Sequence, residues 1–281
     1  MIRHAYRNER SDIFNIWRAC FGDSKEYIDF FLDHSFDPEK CLVWDDNGHA
    51  VAMLHLRTAD YTSKNKELNG KPVMYIYAAA TLLEYQRRGI MSKLIAAAND
   101  EAAAHGCMFT FLLPASDSLY QYYAKLGYIA AFSIKRAILS RNDLMGLKSE
   151  QIIPDNTGKS PIEKRREHFL PSIQWREQEL NYALREWNFV GGEIINFSGG
   201  YVMARKKEDV IEVKEACGRF EDVTAALLDK YDSLKYSFLL APYAEYPFPT
   251  ITAKYGMIKP LSIPENCNII KEKPYVNLML D

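Results

Sequence analysis

Residues 80–93, ATLLEYQRRGIMSK, read as the end of a strand, an arginine-rich turn and the start of a helix. The first N–H groups of such a helix have no partners inside it, and the helix dipole makes the spot positive. A diphosphate fits there and accepts several backbone hydrogen bonds. Gly89 lets the backbone approach the phosphates with no side chain between them. Arg87 and Arg88 add positive charge around it. Taken alone, such a turn is more often simply solvated, so it needs a second signal. Elsewhere the reactive side chains form no constellation. His4, His34, His49, His55, His105 and His168 show no metal-ligand spacing, so no metal is expected. Cys20, Cys41, Cys107, Cys217 and Cys267 are widely scattered, with no close pair for zinc or dithiol chemistry. They read as reduced, mostly buried thiols.

The elements that must position this turn follow from periodicity and breakers. A short strand over 2–5 leads to a helix capped by Ser11 or Asp12, with Ile13, Phe14, Ile16 and Trp17 on its apolar face. A second helix over 24–34 buries Tyr27, Ile28, Phe30, Phe31 and Leu32. Strands over 41–44 and 50–57 flank Asp45, Asp46, Asn47 and Gly48, a hairpin signal. The strand over 73–83 is apolar without alternation, so both its faces should be covered. After the turn, Met91, Leu94, Ile95 and Ala98 recur at helical spacing until Gly106. A buried strand over 107–113 is halted by Pro114. A helix over 116–125 has Gly127 just past its end, and a strand over 129–139 follows.

The composition turns polar over 140–160, with Pro154 and Gly158, which marks a boundary. The expected organisation is a first domain over 1–140, a linker over 141–160 and a second domain over 161–281. The second half reads as a helical region over 162–187, strands over 193–197, 201–205 and 210–216, a helix over 220–231, and strands over 236–240 and 275–280. This order echoes the first half and suggests a diverged second copy. Phe238, Tyr243, Tyr246 and Phe248, interleaved with Pro242, Pro247 and Pro249, form either a pocket wall or a packed loop.

At 281 residues, 48% of them hydrophobic and 26% charged, the chain can bury a substantial core without disulfides or metals. Its 35 basic and 37 acidic residues leave a net charge of -2, which argues against a general nucleic-acid binder. The N-terminal MIRHAYRNER lacks a signal-peptide core, and no run approaches the roughly 20 apolar residues of a membrane helix. A cytoplasmic protein away from membranes is expected. The oligomeric state stays open.

The second signal is a resemblance. Gln86-Arg87-Arg88-Gly89-Ile90-Met91, set between a strand and a helix, resembles the coenzyme A pyrophosphate loop of the GCN5-related N-acetyltransferase family. That loop is Gln/Arg-x-x-Gly-x-Gly/Ala. Met91 departs from it, and its side chain should point away from the phosphates. Thr81-Leu82-Leu83 stands where the family often has Val-x-Pro. Thirty-odd residues on, Tyr123-Ala124-Lys125-Leu126-Gly127-Tyr128 resembles the family's Tyr-x-Lys-x-Gly-Phe at a helix end. The likeness covers about residues 2–139. The two-domain layout is similar to the mycobacterial "enhanced intracellular survival" acetyltransferases. Those carry a further sterol-carrier-like domain, for which no residues remain here.

The resemblance implies an α/β fold, a mixed twisted sheet flanked by helices, followed by a second, degenerate domain of similar build. It implies acetyl-CoA as co-substrate, and direct transfer of the acetyl group to a primary amine of a small molecule or peptide. Backbone groups around Thr81, Leu82 and Leu83 would hold the pantetheine arm and the acetyl carbonyl, where the strands splay. Arg87, Arg88, Gly89, Ile90, Met91 and Ser92 would hold the pyrophosphate. Ser116 or Ser118 would touch the pantetheine. Tyr123 would be the general acid toward the departing thiolate, a role suited to a phenol that keeps its proton to about pH 10. The strand before the loop offers no carboxylate base, and Glu84 lies too near the loop. Water, His55 and the terminal carboxylate of Asp281 are the candidates. Rival readings are a coenzyme A-binding or interaction protein without catalysis, and an acyltransferase using a longer acyl-CoA. Aminoacyl transfer from tRNA is disfavoured by the neutral charge.

Overall fold

The computed structural model describes residues 1–149 and 154–277. The first half contains β1 (Ile2–His4), α1 (Arg10–Phe21), α2 (Lys25–His34), β2 (Cys41–Asp46), β3 (His49–Thr62) and β4 (Lys71–Thr81). It continues with α3 (Ile90–Ala104), β5 (Phe109–Leu112), α4 (Asp117–Lys125) and β6 (Ile129–Ser140). Then come α5 (Arg141–Leu147), α6 (Pro161–His168), β7 (Ser172–Trp175), α7 (Glu177–Phe189) and β8 (Glu193–Phe197). The last elements used below are β9 (Gly200–Lys207), β10 (Val210–Cys217), α8 (Phe220–Lys230), β11 (Lys235–Leu240) and β12 (Ile251–Pro260).

The chain divides into two compact units. The first comprises Met1–Asp60, Gly70–Ala130 and Gly256–Cys267, and the second holds the other described residues. These lines differ from the compositional ones. Residues 61–69 and 131–140 go with the second unit, and 256–267 return to the first. Among the described residues, no helix is long and apolar enough to cross a membrane.

In the first unit the strand order is β1-β2-β3-β4-β5-β12. β1, β2 and β3 are antiparallel. The β2–β3 turn places Asn47 at φ 53° and Gly48 at φ 87°, the doubly left-handed geometry of a two-residue hairpin. Ser11 and Asp12, the expected caps of α1, lie inside its first turn, and the N-cap is Glu9. Asp12 is used instead to accept the N–H of Ala50 at 3.1 Å. Ser24 does cap α2, accepting the N–H of Tyr27 at 3.2 Å. Such a bond contributes about 1 kcal/mol.

β4 and β5 are parallel and joined by the crossover helix α3. Ile90, Leu94, Ile95, Ala98 and Ala102 are buried along one face of α3. They join Leu54, Leu56, Met74 and Ile76 of the sheet in one core. Pairing of β4 with β5 joins Met74 to Thr110 and Tyr75 to Phe111. β4 runs on to Thr81, past the end of β5 at Leu112. Within that run Ala78 has φ 49°, the left-handed geometry of a bulged residue, which bends a strand away from its ladder. A non-glycine residue held there costs on the order of 1–3 kcal/mol, and such strain collects at functional sites.

In the second unit the sheet order is β6-β11-β10-β9-β8. β10 and β11 are parallel around α8, as β4 and β5 are around α3, so the second half does repeat the first. The expected helix over 162–187 is broken into α6, β7 and α7. Pro171 is the cause: it has no N–H to donate and biases Leu170 away from helical geometry. The strand expected over 275–280 shows only a bridge from Tyr275 to Ser172 among the described residues. Residues beyond 277 lie outside them. β12 was not expected, because Lys254, Tyr255 and Gly256 interrupt any alternation. Phe220 packs on Phe238, Tyr246 and Phe248 at centroid distances of 5.4, 5.9 and 4.7 Å. The aromatic cluster is therefore a packed loop. In the same unit Arg165 and Glu215 are buried as an ion pair with Nε–Oε1 3.1 Å.

Candidate active site

β4 ends, a short 3-10 turn covers Leu83–Tyr85, and the chain reaches α3 through Gln86, Arg87, Arg88 and Gly89. Arg87 has φ 62° and Gly89 φ 74°, so the backbone curls over the helix start. No atom would lie within 4 Å of a Cβ added to Gly89. Glycine is required there by its conformation and leaves open space above the turn. The first helical bond runs from the Lys93 N–H to the Gly89 carbonyl at 3.2 Å. The N–H groups of Ile90, Met91 and Ser92 precede it and point out of the helix end.

This turn forms one wall of a cleft of about 390 Å³. Thr81, Tyr85, Gln86, Arg87, Gly89 and the first residues of α3 stand on one side, with Leu119, Tyr122 and Tyr123 of α4 opposite. The structure thus brings together Thr81, Arg87, Gly89, Ile90, Met91, Ser92 and Tyr123 of the residues the sequence points to. Leu82, Leu83, Arg88, Ser116 and Ser118 are not among its lining. The Leu82 N–H is committed to the Val51 carbonyl at 3.0 Å, and Leu83 is 80% exposed. Arg88 donates to the Glu84 carbonyl at 2.6 Å and lies 5.1 Å over the Tyr85 ring. Ser116 is the N-cap of α4 and is hydrogen-bonded to Ser118 at 2.9 Å. Met91 lines the cleft and also packs against the core.

Five lining residues, Ala79, Tyr85, Gln86, Leu119 and Tyr122, were not singled out as site residues from sequence, and three of them make polar contacts. Gln86 Nε2 donates to the Thr81 carbonyl at 3.0 Å and holds the end of β4 to the turn. Tyr85 donates to Asp46 at 2.9 Å. The Tyr122 hydroxyl meets Ser92 Oγ at 2.9 Å. The motif already contained Gln86, so its side-chain contact was the legible one. Thr81 Oγ1 is buried with no hydrogen-bond partner among the described residues, an available group for a bound amide or carbonyl.

The tyrosines of α4 and its exit separate by partner. Tyr128 is fully committed, with Asn99 Oδ1 at 2.9 Å and Thr110 Oγ1 at 2.9 Å. Tyr122 is paired with Ser92. Tyr123 is 8% exposed, and its hydroxyl makes no hydrogen bond among the described residues. Burial, and then the neighbouring Tyr122 and Tyr128, push the Tyr123 phenol above the usual tyrosine range. It therefore holds its proton until a stronger base than water meets it.

His55 is 2% exposed and sits among Trp17, Phe31 and Tyr77, at centroid distances of 6.0, 5.0 and 6.4 Å. Burial, and then the charge of Arg57, hold its imidazole down at about 3. It is a neutral and very weak base, outside the cleft lining. Asp281 lies outside the described residues. The lining includes no carboxylate. Among the described residues no group of three or more His, Cys, Asp or Glu is placed to hold a metal.

The second unit repeats the strand–helix–strand framework but not this chemistry. The first turn of α8 carries Glu221 and Asp222, which repel an anion, and Phe220 there is packed into the aromatic cluster.

Residues 1–131 match the family model described as an acetyltransferase (GNAT) domain. No curated protein gives a significant match. Among solved structures, a GCN5-related N-acetyltransferase from Kribbella flavida is similar at a TM-score of 0.70 and 14% identity, covering 93% of this chain and 72% of that one. Eis1 from Mycobacterium abscessus is similar at 0.68 and 14%, covering 93% and 74%. A probable N-acyltransferase from Enterococcus faecalis V583 is similar at 0.70 and 14%, covering 93% and 73%. At these identities the likeness is one of fold, and it runs through both halves of the chain.

Proposed function

We propose that the chain, whose residues 1–131 match the acetyltransferase (GNAT) domain model, transfers an acetyl group from acetyl-CoA to a primary amine. The single observation behind this reading is the cleft that sets the open amide turn at Gly89 against the unbonded hydroxyl of Tyr123.

The residues present fit the donor. The N–H groups of Ile90, Met91 and Ser92 supply donors for a diphosphate, and Arg87 supplies charge beside them. The buried Thr81 Oγ1 provides a partner for the pantetheine arm. Ala79 and Thr81, at the end of β4 just past the left-handed Ala78, line the cleft, and backbone groups there are the candidates to stabilise a developing oxyanion. The amine nitrogen bonds to the acetyl carbon, the carbon–sulfur bond breaks, and Tyr123 gives its proton to the sulfur. The phenol suits the step because it is protonated at neutral pH and its proton moves only as the thiolate forms. The proton shed by the amine leaves through water, since no lining side chain is a competent base.

The acceptor is a small-molecule or peptide amine, with direct transfer and no covalent enzyme intermediate. Titration of acetyl-CoA into the wild type and into Gly89→Glu tests the donor site. Micromolar binding to the wild type, lost in the variant, supports it, and no binding to the wild type overturns it. Release of thiol with a panel of amines, repeated with Tyr123→Phe, then separates a transferase from a protein that only binds the coenzyme.

A further inference from the structure

The helix that carries Tyr123 is held at its far end by a residue from the other end of the chain. Residues 256–260 of β12 belong to the first unit and pair antiparallel with β5. Met257 faces Leu112 and Lys259 faces Thr110. Beyond the strand, Leu261 and Ser262 donate their N–H groups to the Met108 carbonyl at 3.0 and 3.1 Å. This segment fills the sheet position beside β5 that the sequence from 1 to 140 leaves open.

Opposed residues in an antiparallel pair project to the same face, so Lys259 shares a face with Thr110. That is the face on which Thr110 meets Tyr128 and Asn99. From there Lys259 Nζ donates to the Leu126 carbonyl at 3.2 Å. Leu126 is the C-cap of α4. The Tyr123 carbonyl in the same turn accepts the N–H groups of Leu126 at 2.9 Å and Tyr128 at 3.1 Å. A cation at this end satisfies an orphan carbonyl and opposes the negative pole of the helix.

Gly127 is built for this contact. Its φ is 83°, and a Cβ there would lie 2.2 Å from Lys259 Nζ. The glycine of the Tyr-x-Lys-x-Gly pattern thus serves the turn and also leaves the space through which the ammonium reaches Leu126. Met257 lies in the same core cluster as Tyr123 and Tyr128.

We propose that Lys259 is a positioning residue for Tyr123, so that the acid of the first unit is set by a strand segment that comes after residues 131–255 of the second unit in sequence. The inference rests on the acid role proposed for Tyr123. Lys259 does not touch the cleft and acts by fixing the turn from Tyr123 to Tyr128. Small errors in the placement of a reacting group cost rate and leave binding nearly unchanged.

The test uses the full chain, with acetyl-CoA and whichever amine gives thiol release. Lys259→Met should lower kcat by about tenfold to a hundredfold, with the KM for acetyl-CoA changed less than about twofold. Lys259→Arg, which keeps the cation, should restore most of the rate. Gly127→Ala displaces the ammonium and also strains a residue held at φ 83°, so it should lower kcat at least as far and cost folding stability besides. In a Tyr123→Phe background, Lys259→Met should add little further loss, because the two act through one group. Circular dichroism and acetyl-CoA titration identify any variant that fails to fold, and the Lys259→Arg arm then carries the comparison. Wild-type kcat in Lys259→Met, beside a crippled Tyr123→Phe, overturns the proposal alone. Losses that simply multiply in the double variant assign Lys259 a general structural role and overturn it as well. Wild-type kcat in Tyr123→Phe overturns the acid role, and this inference falls with it.

Discussion

The hydroxyls of Ser92 and Tyr122 meet at 2.9 Å and join the first turn of α3 to α4 across the cleft. One helix offers the amides proposed to hold a diphosphate and the other carries the proposed acid, so this bond sets the width of the cleft between them. Tyr122→Phe removes it while keeping the ring. The expected result is a rise in the dissociation constant for acetyl-CoA of about fivefold, the worth of one ordinary hydrogen bond. kcat should fall by less. Ser92→Ala should match it in a calorimetric titration, and the double variant should be no worse than either single one.

Gly89 separates conformation from charge. Gly89→Ala meets no atom within 4 Å but must hold φ 74°, which costs about 1–2 kcal/mol for an L-residue. Folding stability should drop by about that much in denaturant melts, with acetyl-CoA binding weakened severalfold. Gly89→Glu adds a carboxylate where the diphosphate is expected, and binding should vanish while the melt resembles that of the alanine variant. Equal binding by the two variants would separate the phosphates from this turn.

The pH dependence of rate follows from Tyr123. Burial raises its ionisation above the tyrosine range, so the acid stays protonated through pH 10, and no loss of kcat from this group is expected below that. Because the folded state holds this proton more tightly than the unfolded chain, its contribution to stability is complete below about pH 10 and declines as the pH rises further. A kcat profile falling with a midpoint near pH 8, absent in Tyr123→Phe, would contradict this placement.

His55 gives the opposite window. Its folded pKa, about 3, lies below the ordinary 6.5. The unfolded chain therefore takes up a proton between those values and the folded one does not. Stability should be complete above about pH 6.5 and fall progressively as the pH drops toward 3. His55→Phe should flatten that slope in thermal melts and leave kcat at pH 7.5 within about twofold. A loss of kcat of a hundredfold or more would return His55 to the role of base.

The buried pair of the second unit should behave non-additively. Arg165 and Glu215 have side chains 1% and 0% exposed, and Tyr201 also donates to Glu215 at 2.5 Å. Arg165→Met strands a buried carboxylate and should cost about 3–5 kcal/mol in urea unfolding. Arg165→Met combined with Glu215→Leu should recover part of it.

The turn and the tyrosine that line the cleft were legible because their placement depends on local sequence. A turn with Gly89 at its end and a helix at its exit has few conformations, and Tyr123 sits four residues before Gly127 in a helix with one end capped by Ser116. Arg88 and Ser118 do not line the cleft, and neighbours in sequence satisfy them, Glu84 in one case and Ser116 in the other. Pro171 shows the reverse: it is visible as a breaker, yet nothing beside it announces the strand β7 that follows.

By itself the sequence determined the glycine turn before α3, the helix that carries Tyr123, the α/β character of both halves and their repeat, because periodicity, glycine placement and helix ends are short-range properties. The tertiary structure alone decided the rest. It decided that Tyr123 and not Tyr122 or Tyr128 has a free hydroxyl, since partners such as Ser92, Asn99 and Thr110 come from other elements. It decided that His55 is buried and neutral. It also decided that residues 256–260 complete the first sheet and bring Lys259 to Leu126. Strand pairing over such a separation depends on which edge is left open when everything else has folded, and no local pattern encodes that.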